Sequence, residues 1–153
     1  RNEEVDVDTL VRNMSNIIFI PKHITLNIVS KFPVIRGNQV KLQQLFQNLI
    51  SNAIKFSDKK KGLIELDVVD INSHYHFSVK DNGIGIPAKY QKYIFEKYYR
   101  VPTGDVHNIK GFGIGLAYVK KVIDAHGGRV EVESDVNKGS IFSIYLPVYN
   151  ENL

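Results

Sequence analysis

Residues 39–56 constrain this chain more than any other stretch. Leu42, Leu45, Phe46, Leu49, Ile50 and Ala53 recur at the helical period and form one broad apolar face. The spacing predicts an amphipathic helix, and a face that wide has to be covered by a second layer. Gly37-Asn38 marks its start, with Asn38 placed to cap it. At 100° per residue, Gln44, Asn48, Asn52 and Lys55 fall in a narrow stripe beside the apolar face. Asparagine is a poor helix former, so two of them four apart need a reason. Solvated surface would account for one; for Asn, Asn and Lys together, surface and ligand-holding stripe stand about even.

The rest of the chain supplies the layer. Asp8 or Thr9 is placed to cap a helix carrying Leu10, Val11, Met14, Ile17 and Ile18 on one side, ended by Pro21, after an irregular lead-in over 1–7. Ile24 to Ser30 reads as a strand, and Phe32 to Ile35 as a short extended piece. Ile64, Leu66 and Val68 alternate with polar residues, and Ile71-Asn72-Ser73 turns into a second strand, with Tyr75, Phe77 and Val79 on one face. Pro87 to Ile94 reads as a short helix. Residues 99–111 have no clear period, and a loop that long is usually functional or disordered. A helix follows with Leu116, Val119, Val122 and Ile123 inward, closed by Gly127-Gly128. Two strands separated by Asn137-Lys138-Gly139 end the fold at Pro147, leaving a loose tail. Short turns between strands imply a mixed sheet. The expected class is an α/β (α+β) two-layer sandwich, with helices packed on one face of the sheet.

Asp81-Asn82-Gly83-Ile84-Gly85-Ile86-Pro87 breaks the pattern. Side chains two apart on a strand share a face, so Asp81 continues the inward row of Phe77 and Val79. An inward carboxylate is costly unless hydrogen-bonded, and the glycines after it open the backbone to close approach. Reading a flat polar ligand would need that combination; an Asx-turn ahead of a Pro-opened helix is the plainer alternative.

Composition narrows the class. The chain has 153 residues, 43% hydrophobic and 24% charged, as in one ordinary globular domain. It has no cysteine, so disulfides and thiolate metal sites are excluded. No apolar run approaches the roughly 20 residues of a membrane span, and Arg1-Asn2-Glu3-Glu4 is no signal peptide, so the chain reads as a piece of something longer. The net charge of +4 suits an anionic ligand, but the basic residues form no aromatic-studded stripe, which argues against nucleic acid. Gly111, Gly113 and Gly115 before a helix make a phosphate-binding candidate, since backbone N–H groups and the helix dipole favour an anion there. The spacing fits neither the dinucleotide fingerprint nor the phosphate loop ending in Gly-Lys-Ser/Thr. Amide oxygens on an Asn stripe suit Mg²⁺.

Four stretches, in order, carry a resemblance. Leu45 to Phe56 resembles the asparagine box of sensor histidine kinases, Asp81 to Pro87 their first glycine box, Ile94 to Arg100 their phenylalanine box, and Gly111 to Leu116 their second glycine box. The resemblance implies the catalytic ATP-binding domain of a bacterial two-component histidine kinase, with the Bergerat fold shared by gyrase-type and heat-shock ATPases. It implies ATP and Mg²⁺ as ligands. By position, Asp81 matches the acceptor for the adenine amino group, Gly83, Gly85 and Ile86 the surround of the base, Asn52 the Mg²⁺ ligand and Asn48 an accessory one. Lys55 and Arg100 match phosphate contacts and, with Asn48, the residues expected to serve catalysis; Phe56, Tyr98, Lys110, Gly111, Gly113, Gly115 and Leu116 match further nucleotide-binding positions. Residues 99–111 match a lid.

The same resemblance places one domain over 1–153. Its partners would be a dimerisation domain upstream bearing the phosphorylated histidine, and a response regulator downstream. The parent would be a homodimer, the fragment a monomer in the cytoplasm, with membrane anchoring of the parent left open. Relatives that hydrolyse ATP have a glutamate where this chain has Asn48, and an amide is no general base. Transfer to a protein is therefore favoured over an ATP-driven clamp or a non-enzymatic nucleotide sensor. Phe112 replaces a common Thr or Ser, and Asn38 a common Asp. None of His23, His74, His76, His107 or His126 has the acceptor's context, so the fragment alone should not phosphorylate itself; His126 is expected at a helix C-terminus, where the dipole favours it.

Overall fold

A computed structural model describes residues 2–96 and 112–148, with backbone alone over 112–115. In chain order the elements are β1 (Glu3–Asp6), α1 (Val7–Ile17), β2 (Ile24–Ile28), β3 (Val34–Gly37), α2 (Gln39–Lys55), β4 (Gly62–Asp70), β5 (His74–Asp81), α3 (Ala88–Gln91), α4 (Phe112–Ala125), β6 (Arg129–Asp135) and β7 (Gly139–Pro147). Five strands form a mixed sheet in the order β2-β4-β5-β7-β6; β2 runs parallel to β4, and the remaining pairs are antiparallel. Alternation decides its faces. Ile64 and Leu66, Phe77 and Val79, and Phe142, Ile144 and Leu146 are buried on one side, where α2 and α4 lie against the sheet. Phe77 packs edge-on against Phe46 of α2, ring centroids 5.6 Å apart. Full burial of such side chains stabilises by about 1.5–3 kcal/mol each. On the other side, His76 stacks on Tyr145 at 4.4 Å, and Arg129 lies 3.8 Å over the same ring.

The long helix is built as its spacing predicts: all six apolar positions are buried, and the Asn38 side chain caps it by accepting from the Lys41 N–H. α2 and α4 are bolted together at two points. Tyr118 of α4 donates its hydroxyl to the Gln44 side chain. His126, just past α4, accepts the Asn38 N–H on Nε2 at 3.1 Å, while Nδ1 lies 2.8 Å from the Val122 carbonyl. Residue 118 therefore stands by 44, and 126 by 38, so the two helices run antiparallel. His126 stands at the C-terminal end of α4, as expected, and its ring bridges the two helices. A Schellman ending follows, with Gly128 N–H on the Ile123 carbonyl and Gly127 at φ +74°.

Four sequence expectations are corrected. Residues 3–6 are not irregular: they pair with β3 in a small separate sheet and bury Val5. One inward residue on a four-residue strand leaves no alternation to detect. The cap of α1 is neither Asp8 nor Thr9 but Asp6, whose carboxylate accepts from the Thr9 N–H at 3.1 Å. Asp8 instead accepts from the Phe32 N–H and pairs with Arg12. Ile17, expected inward, is 74% exposed at the last position of α1. The short helix covers only Ala88–Gln91, not 87–94.

Candidate functional site

β5 is the central strand of the sheet and carries Asp81 as its last residue, paired with Ile64 on one side and Ser140 on the other. Its inward register buries the side chain to 9% exposure. The carboxylate accepts the Gly83 N–H at 2.8 Å, so the Asx-turn and the inward acid are both present. Burial raises the Asp81 pKa above the ordinary carboxylate range, opposed in part by the N–H groups of Gly83 and Ser140 and by the nearby Lys59 ammonium.

Facing it across a narrow cleft is the second half of α2. Asn52 is 7% exposed, and its Nδ2 is buried with no hydrogen-bond partner among the described residues. Such an unanswered group costs about 1–3 kcal/mol, and a half-turn of the amide exchanges Nδ2 for Oδ1. Asn52, Phe56, Asp81, Gly85 and Ile86 line this cleft together with Leu49, Ala53, Ile84, Ser140 and Phe142. The sequence reading missed those last five. Ser140 would follow only from strand register, since it is the residue opposite Asp81. A roomier groove of about 320 Å³ lies at the other end of α2, between Asp6, Leu10 and Gln43, away from these residues.

The other candidates fall around the cleft. Asn48 is half-buried one turn before Asn52, and Lys55 is exposed in the last turn. Gly83 is buried where an added Cβ would lie 2.3 Å from the Phe56 carbonyl oxygen, which explains the glycine without reference to a ligand. Leu116 is fully buried in the core. α4 begins at Phe112, so Gly113 and Gly115 lie in its first turn instead of ahead of it. The antiparallel arrangement makes the N-terminal end of α4 the one nearer the second half of α2, where the Asn stripe lies. Tyr98, Arg100, Lys110, Gly111 and the expected lid over 99–111 lie outside the described residues.

The geometry can recognise a polar edge at Asp81 and hold a hard cation at the Asn stripe. Among the described residues, no group of three or more carboxylate, imidazole or thiol side chains could hold a metal. A cation held here would rest on carboxamide oxygens and on its own ligand's phosphates, which suits Mg²⁺ more than Ca²⁺.

Residues 37–150 match the family model described as histidine kinase-, DNA gyrase B-, and HSP90-like ATPase. Sensor protein RprX of Bacteroides fragilis (strain YCH46) is 37% identical over 153 residues, covering 95% of this chain and 29% of that protein. Sensor histidine kinase RcsC of Escherichia coli (strain K12) is 39% identical over 115 residues, covering 75% of this chain and 12% of that protein. The chain thus spans less than a third of these relatives' length. Among solved structures, the mycobacterial sensor histidine kinase MprB superposes with a TM-score of 0.77 at 24% identity, covering 96% of this chain and 97% of that one. Full-length ShkA, solved in complex with AMPPNP, superposes with a TM-score of 0.76 at 26% identity, over 99% of this chain and 32% of that one. With the family model spanning most of its length, the chain belongs to the histidine kinase-, DNA gyrase B-, and HSP90-like ATPases, as an ATP-binding domain of the sensor histidine kinase type.

Proposed function

We propose that this domain binds Mg²⁺-ATP in the cleft between α2 and the end of β5, and delivers the γ-phosphoryl group to a histidine on a separate dimerisation domain in a two-component pathway. The observation that carries this reading is the pairing of a buried carboxylate, Asp81, with a buried and unanswered carboxamide, Asn52, in one cleft. Asp81 accepts the adenine amino group, with Gly85 and Ile86 beside the base and Phe56 at its edge. Asn52, with Asn48 one turn away, holds Mg²⁺, which neutralises charge on the phosphates when bound. Lys55, Arg100 and the glycines at 111, 113 and 115 are assigned to the phosphate end by resemblance, and Tyr98, Lys110 and Leu116 to the nucleotide site without a finer role. Phosphoryl transfer asks chiefly for positioning and charge neutralisation, and Asn48 in place of a carboxylate leaves the described residues of the stripe without a base for water.

The upstream dimerisation domain and the downstream response regulator are part of the same proposal, as is a cytoplasmic location. No helix among the described residues is long and apolar enough to cross a membrane. The decisive experiment mixes this chain with a dimerisation domain carrying the acceptor histidine and γ-labelled ATP. Label is expected on the histidine domain, none on this chain alone, and no steady hydrolysis. Steady hydrolysis without transfer would replace this reading by that of an ATP-driven clamp.

A further inference from the structure

The lysine run 59–61 reads in the sequence as a solvated turn. It is a turn, with Lys60 and Lys61 exposed, but Lys59 is half-buried. Lys59 extends its Nζ to the carbonyl oxygen of Gly83 at 3.2 Å and to the Asp58 carboxylate at 3.0 Å. The peptide unit joining Gly83 to Ile84 is therefore held at both ends, because its N–H donates to the Phe56 carbonyl at 3.1 Å. Next to it, Asn82 accepts the Leu63 N–H at 2.8 Å and donates to the Lys61 carbonyl at 3.0 Å. The segment 56–63 thus lies along the Asp81–Gly85 loop like a splint, joining the end of α2 to the start of the glycine stretch.

We propose that Lys59 is a positioning residue for base recognition: its ammonium fixes the Gly83 carbonyl, so that the Gly83 N–H stays on Asp81 and the carboxylate keeps one orientation towards the ligand. The inference rests on Asp81 as the base reader. A rotated Gly83–Ile84 peptide would lose both the Lys59 and the Phe56 contacts. Lys59 is also a cation close to a buried acid, where it favours the ionised form that can accept a hydrogen bond. Among the described residues, the charged groups acting on Asp81 are Lys59, which stabilises the anion, and Asp58, which opposes it. Lys80, Glu133, Asp135 and Lys138 share an adjoining hollow with Asp81. Lys59 is only partly exposed, at 36%, so its effect is discounted for solvent but not abolished.

The test measures ATP affinity by calorimetry from pH 5 to pH 8 for the unaltered chain, Lys59→Met, Lys59→Arg, Asp81→Asn and the Lys59→Met/Asp81→Asn pair, with thermal unfolding as a check on folding. Lys59→Met should weaken ATP by about two- to fivefold near neutral pH, the scale of a partly exposed charge contact. It should also move the acid loss of affinity to higher pH. Lys59→Arg should restore both, and Lys59→Met should add nothing once Asp81 is asparagine. An unaltered pH profile in Lys59→Met, with Asp81→Asn showing its expected loss, overturns this inference alone. Unchanged ATP affinity in Asp81→Asn overturns the base reading beneath it, and the inference with it.

Discussion

Replacing Asp81 by asparagine exchanges one oxygen for an NH₂ group at nearly constant volume, inside a site where the hydrogen-bond demand can be counted. The carboxylate accepts the Gly83 N–H at 2.8 Å and, in the proposed complex, an adenine amino group. Asparagine offers one acceptor oxygen to those two donors. If that oxygen stays on Gly83, the new NH₂ faces the ligand's NH₂; if the amide turns, the Gly83 N–H is abandoned. A buried donor left unanswered costs about 1–3 kcal/mol, and more where a charge is lost. ATP affinity should therefore fall by about 30- to 150-fold, equivalent to about 2–3 kcal/mol. The effect on stability runs the other way. Burial raises the folded-state pKa of Asp81 above its ordinary 3.8, so its contribution to stability is fully present below that value and is lost as pH rises through the folded pKa. At pH 7 the ligand-free Asp81→Asn chain should melt at the same temperature as the unaltered chain or higher, with the advantage vanishing as pH falls towards 4. Calorimetry with ATP and GTP, and thermal unfolding across that range, read both halves. GTP presents an acceptor where ATP presents its amino group, so the unaltered chain should prefer ATP strongly. Wild-type ATP affinity in Asp81→Asn, or equal ATP and GTP affinities in the unaltered chain, would refute the reasoning.

Two further outcomes follow from single contacts. Asn52→Leu removes the unanswered buried amide and should leave the melting temperature unchanged or raised, while abolishing any Mg²⁺ dependence of ATP affinity; calorimetry with and without Mg²⁺ checks this. Asp6→Ala removes the cap of α1 and should cost about 1 kcal/mol, lowering the melting temperature by about 2–4 °C without changing ATP affinity.

What the sequence disclosed and what it hid divide along physical lines. Periodicity over many residues is a strong signal, so the buried face of α2, the inward row of β5 and the ending of α4 at Gly127-Gly128 were all legible. Asp81 was legible because it continued an apolar alternation that it did not belong to chemically. Pairing between distant segments leaves no local trace. β1 depends on β3, about 30 residues away, and Ser140 becomes a cleft residue only because β7 pairs with β5 in one register. The Lys59 contact was hidden for the same reason: the run does form a turn with Lys60 and Lys61 exposed, but which lysine reaches a carbonyl depends on a segment 24 residues away. The cap of α1 was misassigned because Asp6, Asp8 and Thr9 are all capping residue types, and only the start of the helix at Val7 selects among them.

The place of β5 within the sheet has a consequence for how recognition is lost. Partners flank this strand on both sides from Tyr75, between Asp70 and Leu146, to Asp81, between Ile64 and Ser140. Its amides should exchange with solvent hydrogen only through opening of the entire sheet, at the free energy of global unfolding. The residue proposed to read the base is therefore not a part that frays early. Warming or mild denaturant should leave nucleotide discrimination intact until the domain melts as a unit, and hydrogen exchange at Val79 and Lys80 should report the same protection as the core of the sheet.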